Sequence, residues 1–143
     1  MKANQQHLQR LRQGGANNWN AWRQSHPVIV PELHGTDLSG ADLGTYNLSM
    51  ANLREADLVE ANLNGANLAN ADLSGANLIE ANLAFSDLRA ANLANADLSG
   101  ADLTGANLLG ANVRGATLNW ASLTDALIGE KQLSTVKSRL EEH

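Results

Sequence analysis

From residue 33 to residue 128 an apolar side chain returns at every fifth position without a gap. The series is Leu33, Leu38, Leu43, Leu48, Leu53, Leu58, Leu63, Leu68, Leu73, Leu78, Leu83, Leu88, Leu93, Leu98, Leu103, Leu108, Val113, Leu118, Leu123 and Ile128. The residue before each of these centres is Asp or Asn in 16 consecutive repeats, from Asp37 to Asn112. Two before the centre stands Ala, with Thr36, Tyr46 and Ser86 as the exceptions between residues 36 and 126. The unit therefore reads Ala-(Asp/Asn)-Leu-x-x.

A five-residue period fits neither ordinary element. On an α-helix, five residues advance the chain by about 500°, so successive leucines would spread round every face and leave no stripe to bury. On a flat strand an odd period sends successive leucines to opposite sides. A coil satisfies the pattern. In a short extended segment, residues two apart share a face, so Ala and Leu point inward while the Asp or Asn between them points outward. The last two residues must then turn the chain, and the fifth position holds Gly at 35, 40, 65, 75, 100, 105, 110 and 115 and Asn at 70 and 95. These residue types tolerate the positive φ of a type II turn. Each repeat is one side of a solenoid whose coils share backbone hydrogen bonds about 4.8 Å apart.

Repeats such as ADLSG, ANLRE, ADLVE, ANLNG and ANLAN resemble those of the pentapeptide-repeat family. The resemblance covers residues 32–128, about two thirds of the chain. It implies an all-β solenoid: a right-handed quadrilateral parallel β-helix with four repeats per coil, hence about five coils and a rod of about 24 Å. The run WNAWRQSHPVIVPEL ahead of the repeats is similar to the N-terminal extension of cyanobacterial members of that family.

The expected organisation is a helical cap and extended lead-in over residues 1–31, the β-helix over 32–128 and a helical cap over 129–143. Leu8 and Leu11, three apart, predict a short helix within 4–13. Trp19 and Trp22 predict a second, with Asn17 or Asn18 as its N-cap. Pro27 and Pro31 enforce an extended lead into the coil. Leu133, Val136 and Leu140 predict a C-terminal helix over about 130–142, with Trp120 packed beneath it. The two caps act as lids, or one of them as a dimerisation element, so the chain is a monomer or a dimer through a terminal cap.

Composition narrows the chemistry. The chain has no cysteine, which excludes disulfides and thiolate nucleophiles. No stretch of 18 apolar residues and no apolar signal region occur, so the expectation is a cytoplasmic protein without a membrane segment. The net charge of −5 conceals an asymmetry. Residues 1–31 carry Lys2, Arg10, Arg12 and Arg23 and no acid, whereas residues 32–128 carry twelve acids against Arg54, Arg89 and Arg114. That balance disfavours direct nucleic-acid binding by the coil.

No catalytic motif stands in context, and a filled coil offers no concavity, so the expected activity is non-enzymatic, with no catalytic residue, metal or cofactor. His7, His26, His34 and His143 are dispersed, and His34 is read as a solvated surface side chain. Glu55, Glu60 and Glu80 fall on turns and read as solvated acids. With four sides to a coil, residues 20 apart stack. The Asp/Asn column then gives mostly mixed pairs, the pattern of a hydrogen-bonded ladder rather than of a metal site.

A protein-interaction rod or scaffold of unidentified partner is the leading functional expectation. Val59 and Ile79, 20 apart, stack on one side with Glu60 and Glu80 beside them. Together with Phe85 they form the candidate docking patch. Met50, Leu109 and Trp120 are further apolar residues at outward positions. The family resemblance also implies an alternative, because the family includes quinolone-resistance proteins and relatives whose acidic rods occupy the DNA-binding saddle of DNA gyrase. A passive structural role is the third class.

Overall fold

The computed structural model describes residues 3–141. Lys2 and His143 lie outside the described residues. Parallel bridges join Glu32 to Asn52, Asp37 to Asp57, Asp42 to Asn62 and Asn47 to Asn67, and the same 20-residue step recurs up to the pairing of Asn107 with Leu127. Four five-residue sides therefore make one coil. We number the sides by their inward leucines: the first face carries Leu33, Leu53, Leu73, Leu93 and Val113, and the second, third and fourth follow from Leu38, Leu43 and Leu48.

Each repeat spends its backbone groups in one way. At the centre of the rod, Leu73 N–H donates to Asn92 carbonyl one coil on, Gly75 N–H to Ala94 carbonyl, and Asp72 N–H to Ala51 carbonyl one coil back. The fourth bond closes the corner, from Ala76 N–H to Leu73 carbonyl, as a type II turn requires. The fifth residue of every repeat from Gly35 to Asp125 has positive φ, including Thr45, Met50, Glu60, Phe85 and Ala90. The corner conformation is thus imposed by the coil, and Gly is only its least strained occupant.

The inward positions close the core. Leu48, Leu53, Leu58, Leu63, Leu68, Leu73, Leu78, Leu83, Leu88 and Leu93 are fully buried, with Ala51, Ala56, Ala61 and Ala66 beside them. Each such leucine contributes about 1.5–3 kcal/mol by leaving water. Alanine is the usual neighbour because its methyl fits inside the corner. At two places a hydroxyl fits instead by bonding its own turn: Thr36 Oγ1 donates to Leu33 carbonyl and Ser86 Oγ to Leu83 carbonyl, both at 2.7 Å.

A stack of coils ends in unpaired backbone, and the first coil is covered by two helices. Helix α1 spans Gln5–Arg12 and is N-capped by Asn4, and α2 spans Gly15–Ser25. Asn17 and Asn18 do not cap α2. Its cap is Gly14 at φ 82°, a left-handed turn that reverses the chain directly after α1 and starts the helix earlier. The helices bring polar groups to the orphaned edge. Trp19 Nε1 and Arg23 Nη1 donate to Asn47 carbonyl at 2.7 and 2.9 Å, and Arg23 Nη2 to Ser49 carbonyl at 2.9 Å. Asn47 N–H donates to Asn20 Oδ1, and Arg12 Nη2 donates to Asp37 carbonyl.

The other end departs from the expected helix. Helix α3 is one turn, Glu130–Leu133. Ser134 Oγ and Thr135 Oγ1 donate to the carbonyls of Lys131 and Gln132, an arrangement that competes with helix continuation. Beyond it the chain pairs with the last coil: Ser138 bridges Thr117, and Gly115, Leu118 and Trp120 N–H groups donate to Thr135, Ser138 and Leu140 carbonyls. An open sheet edge offers more hydrogen bonds than an exposed helix gains, so the tail extends. Trp120 consequently has no helix above it and is 54% exposed.

Candidate interaction surface

The outward Asp and Asn side chains are committed locally. In all 16 repeats from Asp37 to Asn112 the Oδ1 atom accepts the N–H two residues on, as between Asp72 and Ser74 (3.0 Å) or Asn67 and Ala69 (3.0 Å). Both residue types offer that oxygen at the same reach, which is why they interchange along the repeat. This corrects the expected ladder. Bonds between stacked side chains are few among the described residues: Asn52 Nδ2 to Glu32 Oε2, Asn62 Nδ2 to Asp42 Oδ1, and Asn112 Nδ2 to Asn92 Oδ1 at 3.4 Å.

The register decides which charges meet. The second face holds Asp37, Asp57, Glu60, Glu80 and Asp97, and the third holds Asp42, Asp102 and Asp125. These eight acids share two adjacent faces with no basic residue of the coil among them. Arg54 and Arg114 lie on the first face and Arg89 on the fourth. Two of these bases find local partners: Arg89 Nη2 is 2.7 Å from Asp87 Oδ2, and Arg54 Nε is 3.9 Å from Asp72 Oδ2. The Arg89 bond holds the Asp87 carboxyl below the usual carboxylate range. Asp37 is lowered as well, chiefly by the hydroxyl of Ser39. Arg12 of α1 reaches the N-terminal end of these faces and donates to Asp37 carbonyl.

Val59 and Ile79 stand in one column of the second face, between Ser39 and Ser99, and both are half-buried. Glu60 and Glu80 occupy the corner beside them and are exposed. Phe85 is one corner further, at the end of the third face, and is 66% exposed. All five thus fall on the two faces without a coil base. Met50 and Leu109, also exposed, lie on the fourth face instead. His34 differs from its expected solvated state: it is half-buried in a groove with Asn52, Arg54 and Glu55, and its enclosed Nδ1 has no partner among the described residues.

The other concavities flank the cap. One groove of about 890 Å³ runs between α1 and α2 over Gln6, Arg10, Gln13, Asn18 and Trp22. Among the described residues no three His, Asp or Glu side chains converge as metal ligands would. No helix there is long and apolar enough to cross a membrane.

The family model for pentapeptide repeats matches eight copies, over residues 47–84 and 86–125. The chain belongs to the pentapeptide-repeat family. No curated protein matches it. Among solved structures, this pentapeptide-repeat chain is similar to a family member, Rfr23, from the cyanobacterium Cyanothece, with 27% identity and a TM-score of 0.56 over 88% of this chain and 99% of that one. A pentapeptide-repeat protein from Nostoc matches at 27% identity and a TM-score of 0.40, covering 90% of this chain and 96% of that chain. One from the thylakoid lumen of Arabidopsis thaliana matches at 32% identity over 70% of each chain, with a TM-score of 0.40.

The grouping of eight of the twelve coil acids onto two faces without a coil base was hidden in the linear sequence. The signal was available only once residues 20 apart were set side by side, because neighbouring repeats contribute to different faces.

Proposed function

We propose that this pentapeptide-repeat protein is a non-enzymatic, right-handed interaction rod that binds a protein partner through its second and third faces. The observation that carries the reading is the distribution of charge: eight acids without a coil base share two faces with Val59, Ile79 and Phe85. Apolar groups at the middle of a patch with a charged rim are the usual anatomy of a docking surface. Buried leucines and alanines fill the axis of the coil, which leaves its function to the outside. The complementary partner is a basic protein surface, steered by the acids and held by the apolar column.

A second reading is favoured by the same acids: the rod imitates DNA and occupies the DNA-binding saddle of DNA gyrase. About 24 Å of duplex carries about 14 phosphate charges, against the eight acids on these two faces. The two readings separate in one experiment. Partner recovery and gyrase supercoiling are measured with the wild type, Val59→Arg and Glu80→Lys. Loss of a recovered protein partner in both variants, with supercoiling untouched by the wild type, supports the interaction rod. Inhibition of supercoiling at low micromolar concentration, relieved by Glu80→Lys, replaces it with DNA mimicry. A partner retained by both variants removes the second and third faces from the interface.

A further inference from the structure

Glu32 opens the coil, and its backbone meets a histidine where later residues meet backbone. The N–H of Asn52 donates to Pro31 carbonyl, that of Asp72 to Ala51 and that of Asn92 to Ala71. Glu32 has no coil before it. Its N–H donates instead to His7 Nδ1 at 3.0 Å, while its carbonyl accepts from Asn4 N–H at 2.8 Å. Helix α1 thus replaces one missing repeat, with an imidazole nitrogen standing in for a peptide carbonyl. The substitute has a property that no carbonyl has. Nδ1 accepts only while it carries no proton, and imidazolium is a donor at both nitrogens. A proton on His7 sets two N–H groups against each other and leaves the half-buried Glu32 N–H without a partner.

We infer that His7 is an acid-sensitive latch: its protonation opens the contact between α1 and the first coil.

The groups facing His7 come from three elements. Glu32 of the coil carries the one carboxylate among them and favours the imidazolium, whereas Arg10 on α1 and Arg23 on α2 oppose it. The ring also packs against Trp22 of α2, with centroids 5.2 Å apart; Arg10 lies over the Trp22 ring and His26 stacks on it. Burial is the largest influence and, with the two arginines, outweighs Glu32, so His7 titrates below the ordinary histidine value of 6.5. A depressed value in the docked state means that the latch is complete above that ordinary value and is lost as the pH falls through the lower value of His7 itself. The contacts of α2 do not share this sensitivity. Trp19, Asn20 and Arg23 bind the carbonyls of Asn47, Thr45 and Ser49 through donors that keep their protons throughout that range. The response is therefore confined to α1, which is otherwise held by Asn4, Arg12 and the buried Leu8 and Leu11.

The test is an NMR titration of the full chain between pH 8 and 5, following the His7 imidazole and the exchange of the Glu32 amide corrected for its intrinsic rate. The expected result is a His7 transition below 6.5 accompanied by an about tenfold loss of protection at Glu32, the scale of one lost hydrogen bond. The Leu73 amide, paired inside the coil, should stay protected throughout. His7→Phe should leave Glu32 weakly protected at every pH, and His26→Gln should keep the transition. Constant protection at Glu32 in the wild type overturns the inference, as does a transition that survives in His7→Phe or disappears in His26→Gln. A His7 value at or above 6.5 overturns it as well.

Discussion

The ring of Phe85 lies over Gly105, one coil further along the same corner, so close that a Cβ on Gly105 would sit 2.6 Å from ring atoms Cδ1 and Cε1. The corner columns repeat the relationship. Glu80 lies over Gly100 and Glu55 over Gly75 in the same way. A side chain on a left-handed residue leans towards the next coil, and the column accepts it where the next corner is bare.

Gly105→Ala should therefore destabilise the rod by about 1–2 kcal/mol, combining left-handed strain with the displaced ring. Phe85→Gly in the same chain should recover part of the loss. Chemical denaturation of the two single variants and the double variant measures the coupling. Additive effects would show that the ring and Gly105 do not interact.

Ala90→Gly works in the opposite direction. Ala90 is exposed at φ 58°, with a left-handed cost that glycine lacks. Relief of that cost exceeds the extra freedom of the unfolded glycine, so the variant should gain about 0.5–1 kcal/mol. An unchanged or lowered denaturation midpoint would contradict the strain at this corner.

Asp72 separates charge from acceptor. Its Oδ1 takes both the N–H and the hydroxyl of Ser74, while its pair with Arg54 is long and exposed. Asp72→Asn keeps the acceptor and should leave the fold and the midpoint close to wild type. Asp72→Ala removes it and should cost about 1 kcal/mol. Loss of the far-UV β signal in the Asn variant would show that the carboxylate itself is required.

Leu73 is the most demanding position tested. It is fully buried in the middle coil among leucines and alanines. Leu73→Asp should abolish cooperative folding, and Leu73→Ala should cost about 2–5 kcal/mol. A cooperatively melting Asp variant would be incompatible with an inward leucine.

Acid should weaken the fourth face through Asp87. Its carboxyl is held below the usual range by the side chain of Arg89, so the contribution is present above the unfolded carboxylate value and is lost as the pH falls through the lower folded value. That places the loss below about pH 4. In Asp87→Asn the fall in thermal midpoint over this window should be shallower than in the wild type.

Much of the coil is legible in the sequence. A five-residue apolar period left one arrangement for Leu and Ala, and the glycines marked the corners. What failed to read through lay at the ends. The spacing of Leu133, Val136 and Leu140 matches a helix face, yet the segment pairs with the last coil because Gly115, Leu118 and Trp120 present unpaired N–H groups there. Asn17 and Asn18 look like helix caps, but the left-handed Gly14 begins α2 before them. The Asp and Asn positions were rightly placed outward, while their bonding partner proved to be the backbone of their own turn. Side-chain reach of that kind is invisible to periodicity.

The sequence by itself determined the unit: which residues point inward, where the chain turns, and that such units must stack. These are local consequences of backbone geometry, repeated 20 times. The period left open which units share a face; the step of 20 that the family resemblance implied is decided by the tertiary structure, whose bridges set Asp57 beside Asn77 rather than beside Asn62. That register places eight of the twelve coil acids on two faces without a coil base and lays Phe85 over Gly105. It also leaves Glu32 without a preceding coil, so that its N–H must find a partner elsewhere and finds His7.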